Sequence, residues 1–427
     1  MNRKLLFAII FTLLFAVGII IWFFFFAQPN TSPTLGSTTN PLLPSSFPKR
    51  FQFIFNNNDE PVSTSTTEMT FPEKEALTQI WNKPATGQTF VTQAIVKEID
   101  ATTTQGTSTV KIKKLINATT TILMFVDRTT GYIYAYNREI NKVYQISNTT
   151  IPGIYDAYIV DNGKRIVLRY EDLERKVIVG VLANIPLVSE KEQAKPLLNT
   201  TYLPAQVTSV AVNKKKTALS YFVTGDNGSS IYTLSQKGAI LIANTPFKEW
   251  SLSYGGDNLY ATSKPSAYLE GQTVLLPSFD FVVGGKTGLM SNPGENNIFI
   301  NSMWSNKGLK TFLTSGSEQI VLDIQTLSSK CGWGEKDFLI CAVPKIIPRD
   351  DEGFPDDWFQ GRNSFEDILV IVNTKTGETS QFYYFKTKEN TIFDVTNFSL
   401  SKDNTLITFN RKQDATLWLL DTNLLGD

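Results

Sequence analysis

The segment "ALTQIWNKPATG" at residues 76–87 resembles the segment "KVYQISNTTIPG" at residues 142–153. The shared positions are Gln79-Ile80 and Gln145-Ile146, Asn82 and Asn148, and Gly87 and Gly153. Hairpin-like strand sequence precedes the second copy, whereas nothing that resembles a neighbouring strand precedes the first. The first copy is therefore predicted to be a strand whose sheet partners come from elsewhere in the chain.

Strand-like sequence dominates the chain from Phe90 onward. Short runs of β-branched and aromatic residues, such as "GYIYAYN", "RIVLRY" and "TLWLLD", are broken at regular intervals by Asn, Asp, Gly or Lys. Such alternation is typical of short strands joined by tight turns, and long amphipathic helical windows are absent from the sequence. These features predict an all-β domain.

A unit of apolar strand, polar turn and second apolar strand recurs along this domain. One turn residue from each copy gives Ala118, Asn162, Asn213, Asp257, Asn306, Lys336 and Asp403. Their mean separation is about 48 residues, within the range of β-propeller repeats. We therefore predict a β-propeller of seven four-stranded blades.

The last repeat supplies only three strands before the chain reaches Asp427. We expect "ALTQIWN" to be the missing fourth strand, because pairing the two ends of the domain closes the ring and removes exposed sheet edges. A pair of β-sandwiches is the alternative fold, but it does not explain a displaced first strand.

The repeated turns resemble those of TolB-type and WD40-like β-propellers, whose signature is roughly Trp-Ser-Pro-Asp-Gly before a strand. The residues that carry the resemblance are Asp161-Asn162-Gly163, Trp304-Ser305 and Ser401-Lys402-Asp403-Asn404, and the signature proline is absent from every copy. The order of anchor, Pro-rich tether and propeller is also similar to that of a family of membrane-anchored bacterial proteins. These resemblances imply a fold and no particular chemistry.

The first seventy residues predict a membrane anchor and a tether. Residues 5–26 form an uncharged apolar run that, at about 1.5 Å per residue, spans a hydrocarbon core of about 30 Å. Arg3 and Lys4 precede the run, so residues 1–4 are expected in the cytoplasm and the rest of the chain outside. A cleaved signal peptide is the alternative, although the run is long and ends in four Phe residues. Residues 27–70 are rich in Pro, Ser, Thr and Asn, which predicts a disordered tether before the domain at residues 71–427.

Charge and residue usage exclude several functional classes. The chain carries 40 basic and 40 acidic residues, so no basic field for nucleic acid is expected. It contains no His, which rules out Ser-His-Asp and Cys-His catalysis and His-ligated metals. No cofactor is expected. An enzyme would have to rely on a pair of carboxylates in the central cleft, as in a glycan hydrolase or lyase.

Cys331 and Cys341 flank "GWGEKDFLI", which has a turn signal near Lys336. A hairpin centred there would place the two thiols opposite each other, at a distance that a disulfide can span. Outside the membrane a disulfide is the expected state, and two buried free thiols are the alternative.

An insertion is predicted at about residues 345–365, where "PRDDEGFPDDWFQG" combines acidic and aromatic residues. The candidate partner-binding residues are Asp350, Asp351, Glu352, Phe354, Asp356, Asp357, Trp358 and Phe359. Exposed aromatic residues on a long loop often serve recognition, but these can equally fold back onto the neighbouring blade. The acidic residues offer oxygen ligands to Ca²⁺, or form an ordinary solvated loop.

Taken with the anchor, these features predict a non-catalytic extracytoplasmic propeller at the cell membrane. Such a module would bind a protein or an envelope polymer. The carboxylate-dependent hydrolase or lyase is the alternative.

Overall fold

Residues 75–105, 108–235, 238–305, 308–335, 337–347, 354–385 and 391–425 are described by a computed structural model. Within these residues the strands form seven antiparallel four-stranded sheets. In six sheets the four strands are consecutive in the chain, and the seventh combines the first strand with the last three. The domain is therefore a seven-bladed β-propeller.

The first four blades follow one another in sequence. Blade 1 contains β2 (Ala85–Gln105), β3 (Ser108–Asp127), β4 (Ile133–Asn137) and β5 (Lys142–Gln145). Blade 2 contains β6 (Ile154–Val160), β7 (Arg165–Asp172), β8 (Val177–Asn184) and β9 (Leu198–Tyr202). Blade 3 contains β10 (Val207–Val212), β11 (Leu219–Gly225), β12 (Gly228–Ser235) and β13 (Gly238–Thr245). Blade 4 contains β14 (Trp250–Gly255), β15 (Asn258–Ser263), β16 (Glu270–Leu276) and β17 (Asp280–Thr287).

The last three blades include the short helices. Blade 5 contains β18 (Met290–Pro293), β19 (Ile298–Ser305), β20 (Gly308–Ser315) and β21 (Glu318–Val321). Blade 6 contains β22 (Cys331–Trp333), β23 (Phe338–Pro344), β24 (Asp367–Asn373) and β25 (Thr379–Tyr384). Blade 7 contains β26 (Val395–Leu400), β27 (Leu406–Arg411), β28 (Leu417–Asp421) and β1 (Leu77–Trp81). The helices are α1 (Asp356–Phe359) and the 3-10 turns η1 (Glu295–Asn297), η2 (Ser328–Lys330) and η3 (Thr422–Leu424).

The predicted closure of the ring is confirmed. β1 pairs antiparallel with β28, and Thr78 lies opposite Leu419 in the ladder. The repeated sequence motif has the same place in both copies, since β1 and β5 are each the outermost strand of their blade. The segment that opens the domain is thus the fourth strand of its last blade.

The glycine shared by the two motif copies has a structural reason in the first. Gly87 adopts a φ of +66°, and a Cβ atom there would lie 2.8 Å from the Cβ of Ala157 on the next blade. Because side chains rarely adopt this φ and the space is occupied, a residue other than glycine would disturb the contact between blades 1 and 2. Gly153 shares the positive φ, of +71°, but faces open space.

Five of the seven predicted turn residues fall between the first and second strands of a blade. Asn306 instead follows β19, the second strand of blade 5, in the chain, and the prediction for blade 1 is wrong. Ala118 lies within β3, where it pairs with Ile95. The first and second strands of blade 1 continue in register as far as Gln105 and Ser108. β3 pairs with β4 only over Ile122–Val126, so residues 94–105 and 108–118 form a two-stranded ribbon beyond the blade. This extension displaces the turn.

Apolar side chains fill the spaces between neighbouring sheets. Phe125 of blade 1 packs in one cluster with Leu417 of blade 7, and Val167 of blade 2 with Tyr221 of blade 3. All four side chains are almost completely buried. Each large apolar side chain buried in this way contributes roughly 1.5–3 kcal/mol, so stacking of the blades is the main stabilising term.

The described residues include no helix long and apolar enough to cross a membrane. The predicted anchor at residues 5–26 and the tether at residues 27–70 lie outside the described residues. Both remain predictions from the sequence.

Candidate functional site

The strand directions give the propeller two faces. The innermost strand of each blade starts where the outermost strand of the preceding blade ends, and the second strand returns to that side before the third begins. We call this side, which carries the links between blades and the loops between second and third strands, the loop face. The opposite side, which carries the other two turns of each blade, is the turn face.

The three lysines of the basic turn at residues 214–216, on the turn face, make contacts within the propeller. The contacts are Lys214 Nζ to the Gly334 carbonyl (3.0 Å), Lys215 Nζ to Asp257 Oδ2 (3.1 Å) and Lys216 Nζ to the Phe90 carbonyl (2.9 Å). These partners belong to blades 6, 4 and 1, so one turn of blade 3 fastens three other blades. Burial lowers the pKa of Lys216 to about 8. The turn therefore stabilises the ring by joining blade 3 to these blades.

Exposed aromatic side chains gather on the loop face. Tyr155, Tyr202, Phe247, Tyr268, Phe359 and Tyr384 lie at strand ends or in loops on this side, with exposed fractions between 47% and 76%. Phe281, near the start of β17, is the exposed aromatic side chain of the described residues that lies toward the turn face. Aromatic residues supply much of the binding energy of protein interfaces, so the loop face is the better candidate for recognition.

A groove opens on the loop face at the boundary of blades 6 and 7. Its volume is about 690 Å³, and its lining includes Lys345, Ile346, Phe365, Ile392 and Arg411. Ile346 and Ile392 are 81% and 53% exposed. The volume lies within the range of ligand-binding clefts, and the lining mixes apolar and polar groups as such clefts do.

The charged residues of the groove are paired with close neighbours. Lys345 forms an ion pair with Glu366 and lies 5.7 Å from the ring centroid of Tyr384. Arg411 forms a two-point ion pair with Asp414, and these hydrogen bonds raise the pKa of Arg411. The groove therefore offers donors and apolar contacts without a strong net charge.

Beneath the groove lies an ionic cluster composed of Lys330, Asp367 and Asp394. All three side chains are fully buried. Ser364 and Phe365, which line the groove, donate hydrogen bonds to Asp394 at 3.2 and 3.0 Å. The cluster thus holds the floor of the groove in place.

The insertion before β24 does not present its aromatic residues as the partner-binding hypothesis requires. Phe354 is fully buried, with its ring 4.7 Å from that of Trp304, and Trp358 is 5% exposed. For these two residues the prediction of an exposed binding loop is wrong, because they fold back to cover blade 5. Phe359 is 48% exposed and remains available.

The two acidic residues of the insertion that the structure describes, Asp356 and Asp357, have separate partners. Asp356 Oδ2 accepts a hydrogen bond from the backbone of Ala267 on blade 4 at 2.6 Å, and Asp357 pairs with Arg362 at 2.9 Å. Asp350, Asp351 and Glu352 lie outside the described residues. Among the residues that are described, no three His, Cys, Asp or Glu side chains gather as a metal site would need.

Cys331 and Cys341 are joined by a disulfide. They lie directly opposite each other in the pairing of β22 with β23, the hairpin on which the sequence argument depended. Both are buried in the core between blades 5 and 6. The bridge therefore fastens the innermost strand of blade 6 to its neighbour.

The innermost strands carry few acidic groups near the axis. Within their described blade portions, Asp156 on β6 is the single carboxylate. Asp156 is bound by Arg169 through two nitrogens, one of them at 2.7 Å, and accepts a hydrogen bond from Tyr158. Burial and the nearby Asp156 raise the pKa of Tyr158. A single carboxylate that is already bound to Arg169 and Tyr158 does not provide the two carboxylates that glycoside cleavage requires.

The three residues of the ionic cluster carry no sequence pattern that predicts a site. Asp367 and Asp394 stand at the edges of strand-like runs, where acidic residues usually mark solvated turns. Lys330 immediately precedes Cys331 and carries no motif of its own. No local signal shows that the three side chains meet, because they lie on three separate connections.

Comparisons with known proteins add no functional assignment. No protein-family model and no curated protein matches the chain. Among solved structures, the chain is similar to the β-propeller domain of Cps50 (Swd1) from Myceliophteria thermophila, with 7% identity, a TM-score of 0.41, and coverage of 70% of this chain and 93% of that one. It is also similar to the β-propeller domain of the Trilobed protease from Pyrococcus furiosus, described as having an open velcro topology, with 11% identity, a TM-score of 0.44 and coverage of 71% and 91%. Prolyl oligopeptidase B from Galerina marginata matches with 8% identity, a TM-score of 0.48 and coverage of 71% and 47%.

Proposed function

We propose that this protein is a non-catalytic binding module, held at the outer side of the cell membrane, whose loop face binds a protein or an envelope polymer. The observation that carries the proposal is the concentration of exposed aromatic side chains and the groove on that one face. Rigid loops around a propeller axis suit docking, because the scaffold does not have to be ordered on binding.

The distribution of carboxylates also favours binding over catalysis. A hydrolase or lyase of the expected kind would need two carboxylates about 5–10 Å apart, one of them free to act as an acid. The innermost strands, over their described blade portions, offer Asp156 alone, and its oxygens are taken by Arg169 and Tyr158. Asp367 and Asp394 do lie close together, but they are fully buried and no substrate can reach them.

The chain enters the propeller domain on the turn face, because β1 begins there. The loop face therefore does not carry the connection to the anchor that the sequence predicts.

Site-specific photo-crosslinking in intact cells tests the binding face. A photoreactive residue at Ile346, in the groove, should give discrete adducts that Arg411→Glu weakens. The same residue at Leu187, which is 83% exposed on the turn face, is the matched control and should give none. Binding of the full-length protein to isolated envelope polymer measures the second class of partner in parallel.

Two results would contradict the proposal. The first is the same adducts at both positions, or no adduct at Ile346 together with no binding to the polymer. The second is turnover of a glycan panel by the full-length protein, which would favour the enzyme.

A further inference from the structure

The buried ionic cluster joins three connections around blade 6. Lys330 ends the 3-10 turn before β22, Asp367 is the first residue of β24, and Asp394 directly precedes β26. Lys330 Nζ lies 3.0 and 2.7 Å from the two oxygens of Asp367 and 2.5 Å from Oδ1 of Asp394. Since both Asp367 oxygens are this close, the carboxyl carbon between them is also within reach of the amine.

Aromatic rings complete the enclosure. The Lys330 amine lies 5.0 Å from the ring centroid of Phe365 and 5.4 Å from that of Trp358. With one amine, two carboxylates and no exposure, the interior holds more charge than it can fully compensate. Holding separated charges without water is costly, and transfer of a proton from the amine to a neighbouring carboxyl would remove one charge of each sign.

The two carboxyl groups have different surroundings. Asp394 Oδ2 accepts hydrogen bonds from Trp358 Nε1 at 3.0 Å, Ser364 Oγ at 3.2 Å and the Phe365 backbone at 3.0 Å. Lys412 Nζ lies 3.8 Å from the same oxygen. The other oxygen, Asp394 Oδ1, lies 2.5 Å from Lys330 Nζ. Asp394 is therefore placed to accept a proton from the amine during a reaction.

Asp367 is the group placed to receive the amine proton, because both of its oxygens lie against Lys330 Nζ. Its Oδ2 accepts a hydrogen bond from the Val395 backbone at 2.7 Å, and its Oδ1 contacts Lys330. Burial, assisted by the charge of Asp394, raises the pKa of Asp367 to about 6. A protonated carboxyl beside a neutral amine is the pair from which an amide forms.

We propose that Lys330 and Asp367 condense to an intramolecular isopeptide bond, with Asp394 as the proton carrier. A proton first passes from Lys330 Nζ to Asp367 Oδ1, and the neutral amine then attacks the carboxyl carbon. Asp394 takes one of the two remaining amine protons and returns it to the departing Oδ1, which leaves as water. The amine and the carboxyl become an amide and one water molecule, and Asp394 ends as it began, so no oxidant, metal or cofactor is consumed.

The site contains the features that such a reaction needs. The fold holds the reacting groups in contact, which replaces a bimolecular encounter by an intramolecular one. The Val395 N–H, already bonded to Asp367 Oδ2, stabilises negative charge on that oxygen when the carbon becomes tetrahedral. Condensation also removes one positive and one negative charge from the interior, which relieves their desolvation cost.

The bond would link parts of blade 6 that the disulfide does not. Cys331 follows Lys330 in the chain and is bridged to Cys341 on β23, whereas Asp367 starts β24. Together the two covalent bonds would fasten three adjacent strands of blade 6, next to the groove. This inference does not depend on what the groove binds.

Mass spectrometry of the full-length protein tests the proposal directly. The unfolded chain should be one water molecule lighter than its disulfide-bonded sequence requires. After reduction and trypsin digestion, the peptide that contains Lys330 should be found joined to the peptide that contains Asp367, and trypsin should not cleave after Lys330. A chain of full mass that is cleaved there would overturn the proposal, and the cluster would then be an ion pair only.

Two variants separate the chemistry from the fold. Lys330→Arg keeps a buried cation but has no amine that can form this bond, so it should have the full mass. Asp394→Asn keeps both reacting groups and removes the proton acceptor, so the linked peptide should fall at least about tenfold in yield at equal times after synthesis. Formation of the Cys331–Cys341 disulfide reports that each variant has folded. A linked peptide of undiminished yield in Asp394→Asn, or a bond to Asp394 in the natural chain, would refute the assigned roles.

Discussion

Lys216 shows how a single residue on the turn face couples the fold to pH. Its amine is partly buried between blades 3 and 1 and donates to the carbonyl of Phe90. Burial lowers its pKa to about 8, below the ordinary value of 10.5 that it recovers on unfolding. Between these values the unfolded chain binds more protons than the folded one, so the free energy of unfolding rises as the pH increases through this window.

The variant Lys216→Met should lose that rise. From pH 7.5 to 9.5, the stability of the natural protein should increase relative to the variant by roughly 1–3 kcal/mol, as a pKa difference of this size implies. Urea denaturation at the two pH values measures it. Lys215→Met, at an adjacent lysine that is mostly exposed, is the control and should keep the rise. A parallel pH response in Lys216→Met and the natural protein would contradict the assignment.

Trp358 contributes through its indole nitrogen as well as its area. Its Nε1 donates to the buried Asp394 at 3.0 Å. Trp358→Phe keeps an aromatic ring but leaves that carboxylate with one donor fewer, which should lower the free energy of unfolding by about 1.5–3 kcal/mol. Chemical denaturation measures the loss. The neighbouring Phe359→Leu, at a half-exposed side chain, should change stability by no more than about 0.5 kcal/mol, and equal effects of the two changes would exclude this role for the indole.

At the scale of the element, β1 holds the ring closed. The Asp421 backbone donates to the Ala76 carbonyl at 2.7 Å, and the antiparallel alternation makes Thr78 and Leu419 the next hydrogen-bonded pair. β1 has β28 as its only neighbour in the sheet, so its attachment depends on this one ladder and on the packing of Ile80.

Thr78→Pro should open the closure. Proline removes the N–H of that pair and leaves a carbonyl of β28 unpaired, which should cost about 2 kcal/mol or more and expose the edge of blade 7. Thermal unfolding and resistance to proteolysis measure the effect. Thr78→Ala keeps the backbone hydrogen bonds and should stay within about 1 kcal/mol of the natural protein. If the proline variant were as stable as the alanine variant, β1 would not be the closing strand.

The ribbon of residues 94–105 and 108–118 shows the limit of repeat counting. Its strands alternate polar and apolar residues in the same way as a blade, so a turn within it, at Ala118, matched the spacing of the other repeats. Only the pairing of β3 with β4 reveals where the blade ends. Local pattern does not distinguish a strand that belongs to a sheet from one that extends beyond it.

At the scale of the whole molecule, the ring brings together residues that are far apart in the chain. The turn of blade 3 reaches blade 6, and the connection before blade 6 reaches the one before blade 7. Such contacts depend on closure of all seven sheets. Loss of β1 should therefore weaken the groove and the ionic cluster, although these hydrogen bonds of the cluster involve no residue of β1.

The predicted anchor can be tested by membrane extraction of the full-length protein. If residues 5–26 span the bilayer, the full-length chain should stay with membranes after alkaline extraction, because about thirty ångströms of hydrocarbon bury the apolar run. A chain that starts at residue 71 should be released. Immunoblotting of the two fractions measures this, with protease added to intact cells to report the side on which the propeller lies. Release of the full-length chain would favour the cleaved signal peptide.

The sequence by itself determined the propeller, its closure by the opening strand and the hairpin that pairs Cys331 with Cys341. These follow from local alternation and repeat spacing, which each segment carries in its own residues. Only the tertiary structure decided that Phe354 and Trp358 are buried and that the 214–216 turn joins blade 3 to other blades. It also decided that Lys330 contacts Asp367 and Asp394. The reason is physical: long-range side-chain contacts depend on how the blades are oriented around the axis, and no short stretch of sequence encodes that orientation.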